Sequence, residues 1–74
     1  MELNLENSDT LVELVIAKRC SKQGAVTAVE VHRNPSPFAL VEMSRRDHTA
    51  EVATQYQGSI FGNAALLRLE HKGE

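Results

Sequence analysis

Residues 36–43, S-P-F-A-L-V-E-M, alternate with the period of a β-strand and are apolar on both sides. Ala39, Val41 and Met43 point one way; Ser36, Phe38, Leu40 and Glu42 point the other. A phenylalanine and a leucine are poorly placed on a face that is merely wet. The stretch therefore predicts a central strand, with one face on a core and the other offered to something outside.

The remaining residues must build that core in one piece, because 74 residues make a single domain spanning 1–74. A domain this small buries only about 60% of the surface its unfolded chain exposes. Residues 1–6 alternate and predict a short first strand. Thr10 with Glu13 forms a capping box and predicts a helix to about Lys22, with Val12, Val15, Ile16, Arg19 and Cys20 as its core stripe. Val12, Leu14 and Ile16 also alternate, so a strand over residues 10–18 stays open as the rival reading. Residues 25–32 predict a second strand, with Val29 and Val31 inward and Ala28, Glu30 and His32 outward.

Asn34-Pro35-Ser36-Pro37 is a hairpin turn leading into the opening stretch. Ser44 with Asp47 is a second capping box, starting a helix over 45–57 that turns Thr49, Val52, Ala53 and Tyr56 to one side. Residues 59–63 read as a glycine-bearing turn region. Residues 64–71 are the last strand, with Ala65, Leu67 and Leu69 inward, and 72–74 a disordered tail. The order βαββαβ, with right-handed crossovers, predicts an α+β, ferredoxin-like sandwich: a four-stranded antiparallel sheet with both helices on one face.

With the elements in that order, four stretches carry a resemblance to the RNA recognition motif (RRM) family, over nearly the whole chain. S-P-F-A-L-V-E-M resembles the family's third-strand octamer, [RK]-G-[FY]-[GA]-[FY]-[ILV]-x-[FY]. T-A-E-V-A-T-Q-Y-Q-G (49–58) is similar to its second-helix pattern, I-A-K-R-C-S-K-Q-G-A-V (16–26) to its first helix and second strand, and L-N-L-E-N (3–7) to its first-strand motif. The resemblance implies single-stranded RNA or DNA as partner, bound weakly on the sheet face by base stacking. It implies that Phe38 stacks and that Leu40 and Leu66 supply an apolar floor. His32, Arg68, Arg33, Arg45, Arg46 and Asn4 would supply polar and phosphate contacts. Leu40 and Asn4 stand where the family has two further aromatics, which removes roughly 2–6 kcal/mol of stacking. Ser36 and Pro37 replace its basic residue and glycine.

A net charge of −2 and a pI near 5.9 supply no global field toward nucleic acid or an anionic membrane, so any phosphate contact is local. Arg45 and Arg46 fall in the first turn of the second helix, where the dipole disfavours cations by ~0.3–1 kcal/mol. With Arg33 they form a candidate anion contact near the sheet edge, against the plain reading of a solvated charged surface. Leu11 and Leu14 lie beside the helix stripe and, with Leu66, define the alternative: a protein–protein or homodimer module that binds no nucleic acid.

The lone Cys20 excludes an internal disulfide and lies in the core stripe, as a packing residue rather than a nucleophile. His32, His48 and His71 lack zinc-site spacing, and G-S-I-F-G is no phosphate loop. No enzyme, cofactor or metal is expected. The start of the chain lacks the basic and apolar regions of a signal peptide, and no apolar run approaches the roughly 20 residues that span a bilayer, so a cytoplasmic protein without membrane contact is the expectation.

Overall fold

The computed structural model describes residues 2–3, 8–33 and 36–71. The expected tail at 72–74, the Asn34-Pro35 corner and Asn4 lie outside them. The fold is α+β: two helices and an open four-stranded antiparallel sheet, with a further pair of two-residue strands. In chain order the elements are β1 (Glu2–Leu3), α1 (Asp9–Cys20), β2 (Val26–His32), β3 (Phe38–Met43), α2 (Arg46–Gln55), β4 (Ser59–Phe61), β5 (Ala64–Arg68) and β6 (Glu70–His71).

Residues 10–18 are helix, not strand. The cap is two residues earlier than Thr10: the Ser8 hydroxyl accepts from the Leu11 N–H at 3.3 Å, and Asp9 stands in the first turn, where the dipole favours an anion. Val12, Ile16 and Cys20 are buried, but Val15 is 39% exposed and Arg19 is exposed too, so the core stripe is narrower than its spacing suggests. α1 packs chiefly on β2, an edge strand, which covers only the line of the helix aimed straight at the sheet.

Ser44 does not cap α2. Its N–H donates to the Ala25 carbonyl at 2.9 Å and extends the β2–β3 ladder by one residue, so Arg45 becomes the N-cap and the helix runs from Arg46 to Gln55. Thr49, Val52 and Ala53 are buried as their spacing requires, and Tyr56 is packed against the core. The helix ends in a complete Schellman motif: Gly58 N–H donates to the Ala53 carbonyl at 2.6 Å and Gln57 N–H to the Thr54 carbonyl at 3.3 Å. The left-handed residue of the motif is Gln57, at φ 56°, where glycine is usual. Gln57→Gly is expected to raise stability by about 0.5–1 kcal/mol, read as a rise of a few degrees in the thermal midpoint.

The sheet order is β2-β3-β5-β4. The fourth strand is not the predicted first strand but Ser59–Phe61, inside the expected turn region. Gly62 (φ 64°) and Asn63, which is not left-handed, form a two-residue loop of type II′ character between Phe61 and Ala64. A loop that short closes at little entropic cost and delivers β4 to the β5 edge. Glu2–Leu3 pairs instead, in parallel, with Glu70–His71.

Ala39, Val41, Met43, Ala65, Leu67 and Leu69 face both helices and are at most 5% exposed, which places the core between one face of the sheet and the helix pair. The irregularity between Val26 and Ala28 lets β2 join both faces correctly: Val26 opposes inward Met43 while Ala28 opposes outward Glu42.

Candidate functional site

Among the described residues, no helix lies on the other face of the sheet. Cross-strand partners share a face, so the register sorts its side chains into rows. One row is His32, Phe38 and Arg68; the next is Glu30, Leu40, Leu66 and Ser59; the third is Ala28, Glu42, Ala64 and Phe61. Five of the predicted residues, His32, Phe38, Leu40, Leu66 and Arg68, are thus neighbours on one surface.

Phe38 and His32 are stacked, with ring centroids 5.0 Å apart and planes at 16°. The His32 Nε2 also lies 3.0 Å from the Glu30 Oε1, an exposed contact of little energetic weight. Leu40 and Leu66 are directly opposed and half-buried, forming an apolar strip beside the ring pair. The face therefore offers a flat π-surface, an apolar floor and a guanidinium, against the two carboxylates of Glu30 and Glu42.

The predicted cluster of Arg33, Arg45 and Arg46 is not assembled. Arg33 follows the end of β2 near Phe38, whereas Arg45 and Arg46 follow Met43 at the opposite end of β3. Arg33 Nε donates to Asp9 Oδ1 at 2.6 Å, tying the sheet to the start of α1. Arg45 Nε donates to Asp47 Oδ1 at 3.1 Å. Desolvation raises the Asp47 carboxyl, but the Arg45 charge and hydrogen bond, together with His48 and a backbone hydrogen bond, hold it below its ordinary value.

Phe61 was not legible as a face residue. It is 66% exposed and shares the open face through its pairing with Ala64. The available signal was F-G-N-A, a Gly-Asn pair between apolar residues, which marks a two-residue hairpin.

On the helix side, Leu11 and Leu14 are 50% and 61% exposed. Cys20 is buried, and desolvation pushes its thiol up to about 11, so it stays protonated and unreactive at neutral pH. Among the described residues no group of His, Cys, Asp and Glu is placed to hold a metal, and no helix is long and apolar enough to cross a membrane. No family model, curated protein or solved structure matches this chain.

Proposed function

We propose that this chain is a small, divergent RRM-like protein of ferredoxin-like architecture that binds single-stranded RNA or DNA weakly on its open sheet face. The observation that carries the reading is the His32–Phe38 stack in the end row of the open sheet face, in register with Arg68 and beside Leu40–Leu66. A base extends an existing ring stack without moving the backbone, and Arg68 lies one strand over for the phosphate or a second stacking plane. A four-stranded antiparallel sheet with two helices supports this architecture at the level of its layers, although β1 pairs with β6 and not within that sheet.

The test is an NMR titration with pooled short RNA and DNA. Amide shifts should be confined to the open face, affinity should fall steeply with salt, and Phe38→Ala should weaken binding roughly 5- to 150-fold. The absence of any shift at low salt overturns the reading.

The exposure of Leu11 and Leu14 on α1 favours a second reading, a protein–protein or homodimer contact through that helix. A concentration-dependent sedimentation coefficient that Leu14→Lys abolishes would support it; a strict monomer with no co-purifying partner would count against it.

A further inference from the structure

We infer that Phe61 is a second stacking platform on the open face, and that the ligand is a single nucleic-acid strand several nucleotides long, running diagonally from Phe38 to Phe61 over β5 and β4. The inference rests on the nucleic-acid reading above and assigns the ligand's length and path.

Among the described residues, Phe61 is the most exposed of the large apolar side chains. It is held by the Gly62-Asn63 turn, so its position on the face is set by a tight loop and by its pairing with Ala64. Phe38 and Phe61 stand two strands apart and two rows apart. Four residues along a strand and two inter-strand spacings separate them by roughly 16 Å. Adjacent stacked bases are only ~3.4 Å apart, so one ligand reaching both rings has several nucleotides between them.

The charge layout selects the route. Glu30 and Glu42 stand on β2 and β3, whereas Arg68 stands on β5, so a phosphate backbone is favoured toward the β5 side. There β4 is short and leaves a cleft of about 330 Å³ beside β5, lined by Gln57, Ser59, Leu66 and Arg68, with Glu70 also on its wall. Amide, hydroxyl and guanidinium groups in the cleft suit base edges, sugar and phosphate, and the cleft adjoins Leu66 and Ser59, whose row stands between the rows of the two rings. An intervening nucleotide sits there.

The experiment is fluorescence anisotropy at low salt with a mixed-sequence, fluorescein-labelled RNA octamer and its DNA counterpart. Phe61→Ala should weaken octamer binding about 5-fold or more, Phe61→Tyr should restore it, and the exposed position should leave the thermal midpoint unchanged. If Phe38→Ala weakens binding and Phe61→Ala does not, the second platform is overturned while the Phe38 face stands. If Phe61→Ala weakens binding and Phe61→Tyr fails to restore it, the stacking role is likewise overturned. If the unsubstituted protein binds neither octamer, both readings fall.

Discussion

Leu67→Ala is expected to lower stability by about 3 kcal/mol, because the side chain is fully buried between sheet and helices and its loss leaves a cavity. A domain of 74 residues has a total of roughly 4–11 kcal/mol at its disposal, so this one change removes a large share. The thermal midpoint should fall by roughly 12–24 °C. The neighbouring Leu66→Ala is the sharper half of the experiment. Leu66 is half-buried on the open face, opposite Leu40, and contributes no packing to the helix side. Its midpoint should stay within about 5 °C of the unsubstituted protein, a cost below about 1 kcal/mol. Circular dichroism melts of both variants check the face assignment on which the candidate site depends. Equal losses would mean the two faces are not divided as the register places them.

Gly58→Ala should cost about 2–3 kcal/mol, for a different reason. A methyl group there would run into the Leu66 carbonyl oxygen and come within 2.6 Å of Leu67 Cδ2. The first of these is backbone of the strand at the centre of the sheet's second half and cannot rotate away. Relief requires moving the end of α2 off β5, which loosens the contacts of Val52 and Ala53 with the core. The midpoint should fall by roughly 8–24 °C. Gly62→Ala separates close approach from backbone conformation: its φ of 64° carries a left-handed penalty of about 1 kcal/mol, with no atom within 4 Å of the added carbon. A larger loss at Gly62 than at Gly58 would contradict this account.

The parts of the fold legible in the sequence are those fixed by local periodicity. Phe38–Met43 reads correctly because its alternation is strict and both faces are used. α1 and α2 read correctly in kind, because capping residues and the spacing of Val12, Ile16, Cys20 and of Thr49, Val52, Ala53 are properties of the segments themselves. Val15 does not, because whether its side of α1 is covered depends on which strand lies beneath it. The partner of Glu2–Leu3 is likewise a property of the whole chain, set by a strand some 68 residues away. Ser59–Phe61 is three residues long, too short to show any period, and only its turn announces it. That is why Phe38, Leu40, His32, Leu66 and Arg68 could be grouped in advance while Phe61 could not. The expected arginine cluster is not assembled because Arg33 and Arg45–Arg46 stand at opposite ends of the same hairpin.

The sheet order has a consequence for how the face comes into being. α1-β2-β3 and α2-β4-β5 are two helix-plus-hairpin halves of similar build, and the second strand of each meets the other at the centre. Each hairpin closes locally and early, while the β3–β5 seam joins residues 22 to 30 positions apart and is the slow, entropically costly event. His32, Phe38 and Leu40 belong to the first half; Leu66, Arg68, Ser59 and Phe61 belong to the second. A ligand that spans both halves therefore recognises only the joined molecule and binds neither hairpin alone in the same way. By mass action any ligand that spans the two halves would hold the seam shut and add to the stability of the domain.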